Sequence, residues 1–465
     1  MDLRSLAAEQ QVHFMGMGGA GMCALAELLL RQGGQVSGCD LKSGEALRDL
    51  ERLGAAVHVG HDPAHLSGAA VLVVTSAVPA DHPEILAATE AGIPVLKRAT
   101  ALGDWVASGT LVAVAGTHGK TTTTAMATEI LAHAGCDPTG LVGGRVTGWE
   151  SNLRFGSDQL FVVEADEYDR SFLALQPDVA VITNVEADHL DVYGDFAGVH
   201  EAFADFAAGT RGGGRVVVCA DDQGASALLA GLDRPGYTYG TSAGSMLRAV
   251  DVSVTAEATT CTIYEEGRNA GALSLQVGGR HNLLNALAAA AASRALGAEW
   301  PEIIKALRDF AGVGRRFERL GERDGVVVID DYAHHPTEVE ATLGAVRERF
   351  PAARLVAVFQ PHLFSRTRDF AGGFGAALAL ADVIWVTDVF PAREAPISGV
   401  TGELIADAAR AAGATEVHYH ADLATLPTDL AAVLRSGDML VTLGAGSIET
   451  VGRDVLECLG EGIHA

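Results

Sequence analysis

The chain has 465 residues, enough for about three domains at roughly 150 residues each. Hydrophobic residues make up 48% and charged residues 20%, which supplies several packed cores and excludes a disordered chain. With 33 Lys and Arg against 59 Asp and Glu, the formal net charge is −26. That is the reverse of a nucleic-acid binder's balance, although a few local cations can still govern an anion-binding cleft.

The first residues, MDLRSLAAEQQ, carry no apolar h-region, and no run reaches the roughly 18 apolar residues a membrane helix needs. Six scattered Cys without a CxxC pair read as reduced thiols, so a cytoplasmic protein without membrane attachment is expected.

In chain order, Val12 to Met15 reads as a strand, Met22 to Gln32 as a helix, and Gln35 to Gly38 and Ala70 to Thr75 as strands. The pattern restarts with a strand at Thr110 to Ala115 and a helix at Lys120 to His133. It restarts again with a strand at Val326 to Ile329, a helix at Glu338 to Arg349 and a strand at Arg354 to Phe359. Such alternation predicts α/β domains with mainly parallel sheets. Period-two alternation between Gly236 and Leu275 predicts a small antiparallel insert. Boundaries near 107 and 312 divide the chain into 1–107, 108–312 and 313–465. The first and last domains are expected to be Rossmann-like, and the central one a P-loop ATPase-type domain.

Four groups of residues carry chemistry. Gly16-Met17-Gly18-Gly19-Ala20-Gly21 satisfies GxGxxG between a strand and a helix, a turn that lets a diphosphate approach a helix N-terminus. Asp40 ends the next strand, where an acid meets ribose hydroxyls in dinucleotide sites. Taken alone this suggests NAD, and another nucleotide diphosphate fits equally.

Gly116-Thr117-His118-Gly119-Lys120-Thr121 is a contracted phosphate loop. Backbone N–H groups from Gly116 to Lys120 can cradle phosphate, Lys120 neutralises charge, and the Thr121 hydroxyl can ligate Mg²⁺. Thr122 continues the polar helix start.

Two strand ends carry carboxylates, Glu164 to Asp169 and Glu186 to Asp191, which suit a hard cation, with His189 as a nitrogen ligand to a second ion. The cationic and His-bearing loops are Arg280 to Ala286, Gly314 to Glu318, Asp330 to Pro336 and Gln360 to Arg368. Asn282 and Asn285 either read a base edge or cap a helix.

Taken in order, these motifs resemble the Mur ligases: GMGGAGM at 16–22, GTHGKT at 116–121, EADEYD at 164–169, NVEADHLD at 184–191, HNLLNA at 281–286, RRFE at 315–318, DDYAHHP at 330–336 and FQPH at 359–362. The resemblance runs from about residue 12 to about residue 450. It implies three domains and ATP-dependent joining of L-alanine to the lactyl carboxylate of UDP-N-acetylmuramate through an acyl phosphate. The implied partners are these small molecules, with monomer and homodimer both open.

By resemblance, Gly16, Gly18, Gly19, Ala20, Gly21, Met22, Asp40, His61 and Ser76 would hold the UDP substrate. Gly116 to Thr122, His281, Asn282, Asn285, Arg316 and Asp331 would hold ATP. Thr121, Glu164 and His189 would hold Mg²⁺ or Mn²⁺, two ions in all, with Glu167 competing with Glu164. Lys120, Glu164, His189, Arg316 and His335 would carry catalysis, and Arg366 would contact amino acid or product. Leu363 stands where relatives often carry Arg. No Lys occurs from Asp188 through Arg211, so no carbamylated lysine ligand is expected. A ligase for a preformed murein tripeptide and a nicotinamide oxidoreductase are the alternatives.

Overall fold

The computed structural model describes residues 3–76, 78–392 and 394–460. Three sheets organise them. The first has five parallel strands in the order Ala56–Val59, Gln35–Asp40, Gln11–Met15, Ala69–Val74, Val95–Lys97. Strand order reverses about Gln11–Met15, so the glycine loop that follows it lies at the topological switch point, where ligands of open α/β sheets bind.

The second sheet has ten strands. At its centre Thr110–Ala115 lies between Val179–Ile182 and Leu160–Glu164, parallel to both. Residues 111–115 are fully buried, as expected of a parallel strand covered on both faces. The carboxyl ends of these three strands present the phosphate loop and both acidic segments on one edge.

The alternating region is continuous with the ten-stranded sheet, with Leu247–Val254, Thr259–Glu265 and Arg268–Leu275 as its last three strands on one side. Tyr237–Gly240 pairs parallel with Arg215–Cys219 and with Leu247–Val254, so it extends the ten-stranded sheet.

The third sheet has six strands: Glu318–Arg323 antiparallel to Val326–Asp331, then Asp438–Leu443, Arg354–Phe359, Val383–Val386 and Val417–Tyr419, all parallel. Leu355, Ala357 and Phe359 pack into one core, while Val356 and Val358 pack into a second on the opposite face.

The chain forms two compact units. One takes the chain up to Asp251, with Cys261–Leu273 and Leu284–Phe310. The other takes Val252–Thr260, Ser274–Leu283 and the chain from Ala311 onward. Among the described residues, no helix is long and apolar enough to cross a membrane.

Candidate active site

The phosphate loop is shaped by two glycines and one neighbouring strand. Gly116 has φ +147° and Gly119 φ +81°. A Cβ at Gly116 would collide with Thr183 Oγ1, and one at Gly119 with Asn285 Oδ1. The end of Val179–Ile182 grips the loop. Thr117 N donates to Asn184 O (3.1 Å), His118 N to Asn184 Oδ1 (2.7 Å), and Thr183 Oγ1 to His118 O (2.6 Å). Of the N–H groups from Gly116 to Lys120 that the sequence offered as a phosphate cradle, those of Thr117 and His118 are committed to Asn184. The first three N–H groups of Lys120–His133 lack intrahelical acceptors.

Lys120 Nζ donates to Gly116 O (2.6 Å), Thr117 O (3.2 Å) and Glu167 Oε1 (2.9 Å). Burial opposes its charge, but Glu167, Asp166 and Glu164 outweigh burial and hold the ammonium above its ordinary range. Glu164 lies on the other side. It accepts from Thr121 Oγ1 (3.0 Å) and, through Oε2, from Gly143 N (2.6 Å). A hydroxyl and a carboxylate this close, beside a glycine-lined cradle, are the hard oxygen donors that Mg²⁺ prefers.

His189, which the resemblance implies as a metal ligand along with Glu164, stands beside Glu167 and Asp188. Its Nε2 lies 3.7 Å from Glu167 Oε1 and 3.8 Å from Asp188 Oδ2, and its ring meets Tyr168 edge-on. The two competing carboxylates therefore have different partners. Glu164 sits with Thr121, and Glu167 with Lys120 and His189.

Glu167, only 3% exposed, is pushed up to about 7 by burial against the pull of Lys120. A carboxyl raised in this way holds its proton more tightly folded than unfolded. Its ionisation therefore costs stability as pH rises from about 4.5 to about 7. Glu167→Gln removes that titration. Between about pH 5 and about pH 8 the wild-type melting temperature should fall relative to that of the variant. Parallel curves from scanning calorimetry would contradict this.

In the first glycine loop, Gly16 N and Met17 N donate to Cys39 O (2.9 and 3.0 Å), and Gly18 N donates to Asp40 Oδ2 (2.9 Å). Asp40 thus holds the loop itself, a role the ribose expectation did not include. Ser76 hydrogen-bonds Asp169, whose carboxylate also pairs with Lys97 (2.6 Å). His61 Nδ1 lies against Cys39 Sγ and Glu84.

A cavity of about 350 Å³ joins these parts. One wall is Gly19 to Met22 with Arg98; the other is Gly143, Glu164 and Asp166. Sequence reasoning missed Arg98, whose guanidinium comes within 3.0 Å of where a Gly21 Cβ would lie. A lone basic residue at a helix start carries no pattern that separates it from a solvated one.

Asn285 faces Gly119, whereas Asn282 Nδ2 donates to Gly278 O (2.6 Å) near the start of its helix. In the second unit, Arg316 lies 5.1 Å from the Tyr332 ring and 3.6 Å from Glu338. Its neighbour Arg315 is bound to Asp330, Glu449 and Gly444 O. Asp331 accepts from Phe317 N and Ala333 N, and burial pushes it up to about 6. His281 is held down to about 4 by burial and Arg316. The His335 ring is buried edge-on against Phe370, and its backbone N–H donates to Glu338 Oε2. Arg366 is buried, and Leu363 adopts φ +68° at the start of the same helix.

Family models match three successive stretches: "Mur ligase family, catalytic domain" at 11–110, "Mur ligase middle domain" at 114–293 and "Mur ligase, glutamate ligase domain" at 315–446. The chain belongs to the Mur ligase family. The UDP-N-acetylmuramate–L-alanine ligase of Solidesulfovibrio magneticus is 45% identical over 449 residues, covering 96% of this chain and 98% of that one. The solved UDP-N-acetylmuramate–alanine ligase of Thermotoga maritima superposes with a TM-score of 0.82 at 30% identity, covering 97% of this chain and all of that one. A murein peptide ligase from Psychrobacter arcticus shares the fold, with a TM-score of 0.71 at 24% identity over 98% of this chain and all of that one. The three-domain α/β architecture expected from the sequence is that of these ligases.

Proposed function

We propose that this chain joins L-alanine to UDP-N-acetylmuramate at the expense of ATP, in the cytoplasmic synthesis of peptidoglycan precursors. The observation that carries the reading is the 350 Å³ cleft, which runs from the first glycine loop and Arg98 to Glu164 beside Thr121 of the phosphate loop. A substrate with its diphosphate on the first loop can extend its acyl end toward the phosphoryl group to be transferred. The relatives named for L-alanine addition are more similar, at 45% identity and at a TM-score of 0.82, than the murein peptide ligase at 24% identity and 0.71, which favours a single amino acid over a preformed tripeptide. A hydride enzyme has no need of the phosphate loop.

The chemistry follows from the groups present. The lactyl carboxylate oxygen attacks the γ-phosphorus and ADP leaves. The amine of L-alanine, having lost a proton, attacks the acyl phosphate carbonyl, and phosphate leaves as the amide forms. Anion attacking anion requires charge neutralisation, for which Arg98 lines the cleft and Lys120 stands on the phosphate loop. Thr121 and Glu164 would hold Mg²⁺, which supplies further neutralisation when bound; a second ion would lie with His189. Asn285 shapes the loop at Gly119. Arg316, Asp331, His335 and Arg366 serve nucleotide and amino acid in this proposal, with the labour divided among residues 1–107, 108–312 and 313–465.

ADP and phosphate release with MgATP, UDP-N-acetylmuramate and a panel of single amino acids tests the reading. Release should require L-alanine and the sugar nucleotide together, with an alanyl adduct in the mass spectrum. Release with a muropeptide only, or with neither substrate, would overturn it.

Gly18→Val tests the first loop. A Cβ there lies 2.8 Å from Leu47 Cδ1 and 3.0 Å from Asp40 Oδ2, so the side chain displaces the aspartate that holds the loop. Affinity for UDP-N-acetylmuramate should fall by about 10-fold or more while ATP binding is spared, read by titration calorimetry.

A further inference from the structure

The first domain buries a cluster of soft and borderline ligands that the proposed reaction does not use. His13 on Gln11–Met15, Cys39 on Gln35–Asp40 and Glu84 on the helix Pro83–Glu90 are all fully buried, and each offers an atom within 4.8 Å of the other two. His61, which the resemblance implies for the UDP substrate, stands beside two of the three. Its Nδ1 lies 3.2 Å from Cys39 Sγ and 3.3 Å from Glu84 Oε2, and Cys39 Sγ lies 3.5 Å from the Glu84 carboxylate. In tetrahedral zinc sites, bonds of about 2.0–2.3 Å set neighbouring ligand atoms about 3.3–3.7 Å apart. Three of the four atoms already stand at that spacing.

Two independent features point to a cation. His13 Nδ1 bonds Ser37 Oγ at 2.8 Å, which leaves Nε2 buried without a hydrogen-bond partner. A metal-ligating histidine is oriented in this way, by a hydrogen bond on its other nitrogen. Glu84, fully buried, has His61 Nδ1 at 3.3 Å and His65 Nδ1 at 3.6 Å, and its Oε1 accepts from Asp62 N at 2.9 Å. A buried carboxylate needs compensating positive charge.

We propose that His13, Cys39, His61 and Glu84 form a structural zinc site in the first domain. Two neutral imidazoles, one thiolate and one carboxylate balance the charge of Zn²⁺. Four protein ligands leave no open position, so the role is structural. The ion would tie two neighbouring strands to the loop at His61 and to the helix Pro83–Glu90. It would also fix the strand end whose Cys39 carbonyl and Asp40 carboxylate hold the glycine loop.

Full-length protein is stripped with a chelator in the absence of nucleotide, then given Zn²⁺ or Co²⁺ and passed through a desalting column. One equivalent of zinc should be retained, and the melting temperature should rise on zinc addition. The Co²⁺ form should show thiolate-to-metal charge-transfer absorption that Cys39→Ser abolishes. X-ray absorption of the unaltered zinc form should give one sulfur and three nitrogen or oxygen neighbours, which decides the matter even if the variant does not fold. No retained zinc, an undiminished Co²⁺ band in Cys39→Ser, or a shell without sulfur would each overturn the proposal.

Discussion

Lys120→Ala should lower turnover by about 10³-fold or more, roughly 4 kcal/mol of transition-state stabilisation, while UDP-N-acetylmuramate binds with nearly unchanged affinity. The ammonium is the phosphate loop's own cation. It is held by two loop carbonyls and Glu167, and nothing else on the loop replaces a buried positive charge. The first glycine loop is fastened by Cys39 O and Asp40, and neither bond involves Lys120. The variant should still fold. Glu167, already raised to about 7, takes up a proton when its cation is removed and avoids an unpaired buried charge. Phosphate release and calorimetric titration with the sugar nucleotide make the comparison. Equal losses of turnover and of sugar-nucleotide binding would show that the two loops do not serve different ligands.

How far the sequence foretold this site depends on the range of the interactions. The strand Thr110–Ala115 and the helix Lys120–His133 lie where expected, because a buried apolar run, a glycine turn and a polar helix start are local signals. The role of Asp40 was not legible, since its partner is a backbone N–H on a loop whose path only the fold determines. Glu164 and Glu167 could not be told apart. The segment after Glu164 leaves the strand, and Asp169 and Arg170 take left-handed angles, so neither strand nor helix periodicity says which way each carboxylate points. The partnership of His13, Cys39 and Glu84 joins three separate elements, and no spacing rule spans them.

That unresolved pair yields the second large effect. Glu164→Gln keeps the shape of the side chain and removes its charge. The amide oxygen can still accept from Gly143 N while its nitrogen faces the Thr121 hydroxyl, so stability should change by no more than about 1 kcal/mol. Turnover should nevertheless fall by about 10²–10³-fold, because the carboxylate is the charged partner of Thr121 at the edge of the cleft. The Mg²⁺ concentration needed for half-maximal rate should rise with it. Glu167→Gln should lose no more than about 10-fold and keep the wild-type metal requirement, since that carboxylate is committed to Lys120. Rates measured against free Mg²⁺ at saturating ATP separate the two. If Glu167→Gln changes the metal requirement and Glu164→Gln does not, the ion belongs with Glu167 and His189, and Glu164 only positions the Thr121 hydroxyl.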